Sequence, residues 1–486
     1  MNLKETIKIS CTLIGLSLTA FSCNEKELLN PEPPTQIQEA NVFTSPERIQ
    51  GVVNGMYAKV KAANFYGGRY LMVCDIRGEE FINRTQNVFT GYDAWSHTVI
   101  SGSNDASNSW IAIYAAINSA NILIKGLEDN AGKVEATLAA QYTGEAKFVR
   151  ALSYYSLITL YAQPYVKDAG ASPGVPLRLS AEVSPENNNM PLSTVAAVYT
   201  QILKDLDEAE ASLPAAYTGS SAALLNTTRA HKSTAIALKT RVYLTMGNYP
   251  KVIEEATKIV SASAPFKTTF GVQHQLQADV KAVFAPAATT VESILSMPMT
   301  DLDFVSGQSA LAYEYWVNKE YNLNPSGIVG DTEWRTADAR RGMIATASNL
   351  PYLLKYSDIV TPYTDFIPVI RYAEVLLNYA EALARISSPD LAKATDLLYA
   401  VRRRSDPTYT YPATALASPA AFVSTVLKER RIELLGEGFR SNDLLRNLMT
   451  IPAKGSGGLS SPSVGPNESS YVFPIPNAEI STNKAL

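Results

Sequence analysis

Histidine and cysteine are nearly missing from this chain, with three of each among 486 residues. The histidines, His97, His231 and His274, show no metal-ligand spacing, which removes the common zinc-site patterns. There is no Gly-x-Ser-x-Gly elbow, no phosphate-binding P-loop and no dinucleotide fingerprint. The hydrolase, NTPase and dehydrogenase classes that depend on such motifs therefore lose support. Glycoside hydrolysis stays open, because it needs two convergent acids that no local motif announces. An excess of one charge is lacking too. With 42 basic and 46 acidic residues the net charge is -4, which argues against nucleic acid as a partner. Tryptophan is scarce at 4 residues, whereas tyrosine reaches 26. A tyrosine ring is apolar on its face and polar at its tip, a combination that suits packing and also sugar or peptide recognition.

Long apolar runs are lacking as well, apart from the start. Lys4 and Lys8 precede an apolar stretch from Ile9 to Phe21 that is too short to span a bilayer. It ends at Ser22-Cys23, a small residue before a cysteine, as in a bacterial lipoprotein signal. Cleavage there leaves Cys23 as the lipidated N-terminus, with residues 1–22 as signal peptide and 23–40 as a Pro-containing tether. The alternative is an ordinary secretory peptide cleaved elsewhere. Lipidation at Cys23 leaves Cys74 free, so no intramolecular disulfide is expected, and Cys74 reads as a buried small hydrophobe.

What the chain does have is helical periodicity. Ser45-Pro46 and Ser418-Pro419 are N-cap signals followed by proline at the first helical position. Apolar residues at spacings of three and four predict helices from Pro46, from Trp110, over 145–161 and from Ser193. Two segments, 229–261 and 370–404, each read as two helices with small residues at their crossing, the layout of a tetratricopeptide unit. The scaffold is expected over 41–65, 110–262 and 368–450 within a single domain, 41–486, closed by 451–486. Two stretches, 66–109 and 264–367, are rich in Gly, Asn, Ser and aromatics without sustained period, and long irregular segments between helices commonly carry function. They supply the candidate ligand-binding residues Asp75, Arg77, Asn83, Tyr92, Trp95, Tyr315, Trp316 and Tyr321, a set of aromatic faces and planar polar groups suited to sugar hydroxyls. Trp110 and Trp334 read as packing residues.

The densest mixture of charge lies in 428–446, with Glu429, Arg430, Arg431, Glu433, Glu437, Arg440 and Asp443 interleaved with Ile432, Leu434, Leu435, Phe439 and Leu444. A solvated face rarely alternates so closely with large apolar residues. The pattern predicts a partly buried Arg–Glu network clamping a helix, since the guanidinium fork matches a carboxylate.

With these residues in view, the chain resembles the SusD/RagB family of outer-membrane nutrient-binding lipoproteins. The resemblance rests on Cys23, on Glu145-Ala146-Lys147-Phe148-Val149-Arg150-Ala151-Leu152 and on Pro368-Val369-Ile370-Arg371-Tyr372-Ala373-Glu374. It also rests on Val401-Arg402-Arg403-Arg404, on Glu429 to Asp443 and on Pro474-Ile475-Pro476. Leu435-Gly436, Ser441-Asn442 and Ala162-Gln163 depart from the usual pattern. The resemblance implies an all-α SusD-like fold with about four tetratricopeptide-type helix pairs and a loop-rich ligand face. It implies a lipid-anchored, surface-exposed protein of the outer membrane that binds glycan and acts as the lid of a SusC-like TonB-dependent transporter. A peptide cargo of RagB type, or a structural lid with little ligand binding, is the alternative. Neither catalysis nor a cofactor is implied.

Overall fold

The computed structural model describes residues 42–285 and 289–486. The signal, Cys23 and the tether lie outside the described residues. The fold is all-α in class, with four two-stranded antiparallel sheets as minor features among the described residues.

The first helix, α1 (Pro46–Val60), starts where Ser45 accepts a hydrogen bond from the Arg48 amide, and it buries Ile49, Val53, Met56, Tyr57 and Val60. Two long helices follow, α3 (Asn104–Asp129) and α4 (Ala136–Tyr161). Both begin earlier than the apolar period alone predicts, and for α4 the Glu135 carboxylate caps the amides of Thr137 and Leu138. By length and composition α3 is apolar enough to cross a membrane, unlike the reading that no run after the leader is. It packs instead against α1 and α4, and half of its most apolar stretch is buried there.

Between α1 and α3 lies α2 (Arg69–Ile76), in a stretch expected to be irregular. All eight of its residues are buried. A helix covered on every side has no apolar stripe, so periodicity cannot reveal it.

Then come α5 (Val195–Ser212), α6 (Lys232–Thr245) and α7 (Tyr249–Ile259), with Gly247 in the left-handed region at the α6–α7 turn. The second helix pair is α8 (Tyr372–Arg385) and α9 (Leu391–Ser405), the latter capped by Asp390. Helices pack in succession, α3 on α4, α4 on α5, α5 on α6, α6 on α7, α7 on α8 and α8 on α9. One hydrophobic cluster runs through them from Ile49 to Phe473. Buried ion pairs stitch the layers. Arg150 of α4 grips Asp205 of α5 at 2.7 and 2.8 Å, Arg229 grips Glu145 of α4 at 2.6 and 2.9 Å, and Arg241 of α6 grips Glu374 of α8 at 2.6 Å through both oxygens. The Glu145–Arg150 motif therefore holds α4 from two directions.

The C-terminal clamp is α10 (Pro419–Glu433), capped by Ser418, followed by α11 (Arg440–Leu445). Glu429 accepts from Arg340 at 2.6 Å, Arg402 at 3.1 Å and the Tyr411 hydroxyl at 2.9 Å. Glu433 accepts from Arg340 at 2.8 Å, Arg371 at 3.0 Å and Arg404 at 2.6 Å. Glu437 takes Arg371 and Lys355. Arg430 bonds Asp443 at 2.8 Å and Asn378 at 2.7 Å, while Arg431 and Arg440 reach Glu80 and Glu79. Each carboxylate is surrounded by guanidinium or ammonium, and Glu433 is held well below the usual carboxylate range despite full burial, by Arg404, Arg371 and Arg340.

Four antiparallel strand pairings, two of them hairpins, organise the rest of the described residues. Strand β1 (Phe81–Asn83) pairs antiparallel with β3 (Tyr321–Leu323), so the two irregular stretches meet, Asn83 opposite Tyr321. Strand β2 (Ser293–Met297) pairs with β6 (Ile367–Arg371), β4 (Ile344–Ala347) with β5 (Leu350–Leu353), and β7 (Lys454–Ser456) with β8 (Leu459–Ser461). The closing segment thus contains a hairpin and a short helix, Asn477–Thr482, not a plain extended end.

Candidate functional site

Six of the eight candidate ligand-binding residues are interior, which corrects the reading of the aromatic loops. Trp95 is 0% exposed and its indole N–H donates to the Phe81 carbonyl at 2.8 Å. Tyr315 lies stacked between Phe81 and Tyr356, with ring centroids 5.0 and 6.5 Å away. Tyr321 donates its hydroxyl to the Thr90 carbonyl at 2.7 Å. Asn83 accepts from the amides of Thr85 and Gln86 at 3.1 and 2.7 Å, forming the turn after β1. Asp75 accepts from the amides of Gly438 and Arg440, and burial pushes its carboxyl up to about 7. Arg77 donates to the Tyr471 carbonyl at 2.7 Å and sits 5.0 Å from the Phe473 ring, with burial bringing it down to about 10. These residues build the loops; their rings and forks show no face to solvent.

Tyr92 and Trp316 are the two that stay half-buried. Tyr92 lies on Trp95 at 5.9 Å between centroids and shields it. Trp316 is differently placed. It sits on a π-helical turn, Tyr313–Val317, closed by the Asn318 amide donating to the Tyr313 carbonyl at 2.7 Å. Such turns are uncommon and recur at functional sites. The Trp316 ring meets Tyr352 of β5 edge-on at 6.2 Å. Lys319, in the left-handed region at φ 54°, folds back over it, with its ammonium 4.7 Å from the ring centroid and 3.1 Å from the Trp316 carbonyl. A cation over an indole face and an aromatic edge beside it fix the ring's orientation.

The loop after β1 lies alongside. The Arg84 amide donates to the Glu320 carbonyl at 2.9 Å, and the Glu320 carboxylate accepts from Thr85 and, at 2.6 Å, from Thr90. Glu320 also takes the Asn318 amide nitrogen at 2.9 Å. A single buried carboxylate therefore ties residues 84–90 to the turn bearing Trp316. The tied loop exposes Arg84, Gln86 and Phe89, the last at 62%. The two tied segments thus carry half-buried Trp316 and exposed Phe89, the exposed polar groups of Arg84 and Gln86, and Lys319. Phe89, Gln86, Arg84 and Lys319 were not among the expected residues. Their signal was weak, because an irregular loop has no period that sorts exposed from buried positions. Lys319, three residues after Trp316, was the one readable hint.

The comparisons with known proteins bear on this geometry. Residues 27–244 match a family model described as starch-binding, associating with outer membrane, and residues 348–486 match the SusD family model. The chain belongs to the SusD family. A crystal structure of a SusD superfamily protein from Bacteroides fragilis is 32% identical, with a TM-score of 0.82 over 92% of this chain and 99% of that one. One from Bacteroides thetaiotaomicron is 25% identical, with a TM-score of 0.79 over 91% and 98%. Among curated proteins, SusD-like protein P2 of Formosa agariphila is 26% identical over 99% of this chain and 98% of its own length. The two family matches flank a stretch that includes the turn bearing Trp316, so that turn falls outside both.

Proposed function

We propose that this SusD-family protein is a cell-surface glycan-binding lipoprotein of the outer membrane, anchored through Cys23, that serves as the lid of a SusC-like TonB-dependent transporter. The observation that carries the ligand reading is Trp316, half-buried and orientation-locked on a π-helical turn. An oligosaccharide presents flat C–H faces that stack on such a ring, and hydroxyls that bond amide and guanidinium groups. The 84–90 loop, tied through Glu320 to the segment that follows this turn, carries such groups in Arg84 and Gln86, which supports the reading. The family description, starch-binding and associating with outer membrane, supports glycan as the class and the outer membrane as the place. Binding, not turnover, is the role, with no cofactor.

Calorimetric titration of the mature protein against starch, other soluble polysaccharides and peptides tests this. We expect binding to at least one polysaccharide and its loss in Trp316→Ala. Glycan binding that survives Trp316→Ala overturns the site, and binding to peptides alone overturns the class. For the anchor, palmitate labelling is expected in wild type and absent in Cys23→Ala. For the lid, a barrel transporter should co-purify with the tagged protein from solubilised outer membranes.

A further inference from the structure

The turn that displays Trp316 contains an unusual group two residues earlier. Glu314 is 1% exposed, and neither of its carboxyl oxygens has a hydrogen-bond partner. Its backbone is fully used, with the amide donating to Ala310 at 3.0 Å and the carbonyl accepting from Glu320 at 3.0 Å. The groups facing it are Arg69 of α2, Glu320 at the end of the turn, and the hydroxyls of Tyr315 and Tyr321. Tyr352 of β5 packs on the same turn through Trp316. Arg69 is near enough to be felt, yet among the described residues no ion pair joins it to Glu314, and one of its guanidinium nitrogens is itself unpartnered.

A carboxylate in that position has no donor to receive it and a second carboxyl group, Glu320, beside it. Burial without hydrogen bonds disfavours the charged form strongly. In keeping with this geometry, burial pushes Glu314 up to about 9, against the pull of Arg69. The neutral acid tolerates the dry site, whereas the anion demands hydrogen bonds that the closed turn does not supply.

We propose that Glu314 is the positioning residue of the glycan face: uncharged, it lets the π-helical turn close with Trp316 on display, and when it gains a charge the turn opens and Trp316 is lost from the site. Glu314 does not itself touch ligand. This deepens the glycan reading and rests on Trp316 belonging to that face, but the movement of the turn is testable without any glycan.

The measurement is fluorine NMR of the mature protein labelled with ring-fluorinated tryptophan, with the Trp316 signal assigned by its disappearance in Trp316→Phe. From about pH 5 to about 10, the wild-type Trp316 signal should move with a midpoint above the ordinary carboxyl range and no higher than about 9. In Glu314→Gln, neutral at every pH, it should stay put. Arg69→Gln should raise the midpoint, because the guanidinium favours the ionised acid. A motionless wild-type signal overturns the proposal without any variant. An unchanged titration in Glu314→Gln overturns it too, and so does an unmoved midpoint in Arg69→Gln if Glu314→Gln does not fold. The glycan reading stands or falls separately, on the calorimetric panel.

Discussion

The Arg371 guanidinium meets the Glu437 carboxylate fork to fork, Nε to Oε2 at 2.7 Å and Nη2 to Oε1 at 2.8 Å, across 66 residues of chain. Both residues are buried, and Arg371 also serves Glu433 and Glu292. One guanidinium thus holds strand β6, the α10 terminus and the loop beyond it together.

Arg371→Met should therefore do more than remove a pair. It takes one cation away from three buried carboxylates at once, leaving Glu437 to Lys355, Glu292 to Arg404 and Glu433 to Arg340 and Arg404, and losing one partner of a buried ion pair costs about 3–5 kcal/mol. Urea denaturation of the variant is expected to show a loss of at least that size. A loss under about 1 kcal/mol, the scale of a surface pair, would mean that the network is not desolvated in solution.

Backbone geometry beside this network is equally restrictive. Gly438 has φ 82°, and a Cβ there would lie 2.9 Å from the Leu71 Cα. The left-handed conformation alone disfavours a side chain by about 1–2 kcal/mol. The neighbouring atom is main chain of the fully buried α2, so it has little room to retreat. Gly438→Ala should lose about 2 kcal/mol or more, counting the clash, while Gly132→Ala, left-handed but open to space, should stay within the conformational figure. Equal losses in paired melts would show that the contact with Leu71 is relieved.

Acid should find a second weakness. His231 and His274 stack 5.1 Å apart between centroids, both buried, with the His231 ring brought down to about 3 and His274 to about 4, chiefly by burial. The unfolded imidazole binds its proton near pH 6.5, so protonation favours the unfolded chain, and stability drains as pH falls from about 6.5 toward these values. Asp75 and Asp105, raised by burial to about 7 and about 6, work in the opposite direction over the same window. The sign therefore has to be read as a difference. On acidification from about pH 7 to 4.5, His274→Gln should gain on wild type by about 1.4 kcal/mol for each unit below 6.5, as measured by denaturation at each pH. A constant gap would show that the pair is hydrated or already charged.

How much of this was readable beforehand depends on how each residue is surrounded. The caps at Ser45 and Ser418 and the helix pairs α6–α7 and α8–α9 followed from local rules, because amphipathic helices carry their environment in their period. The 428–446 stretch showed its own half of the ion network. Its partners Arg340, Arg371, Lys355 and Arg404 sit in other segments, and nothing local gives their register. Helix α2 stayed hidden because burial on every side leaves no stripe. In the loops, Trp95 and Trp316 occupy sequences of similar texture, and which ring faces water is decided by β1–β3 pairing and by Glu320, both long-range.

Those two tryptophans give the sharpest test of the candidate face, because the two substitutions should fail in opposite ways. Trp95 fills the interior, donates to Phe81 and carries Tyr92 on its ring. Deleting so large a buried side chain costs about 3–5 kcal/mol. Trp95→Ala should therefore lower the thermal midpoint markedly, and any loss of glycan affinity should follow from unfolding, recovering at temperatures where the variant is folded. Trp316 is half-buried, with Lys319 and Tyr352 as its neighbours. Its removal should cost about 1 kcal/mol or less, the scale of an exposed cation–π contact, while weakening glycan binding by about tenfold or more, or about 1.4 kcal/mol. Melting curves and titrations on the same samples separate the two. If Trp95→Ala kept full stability and lost binding, the ring would have to be reachable by ligand, and the face would need to be redrawn around it.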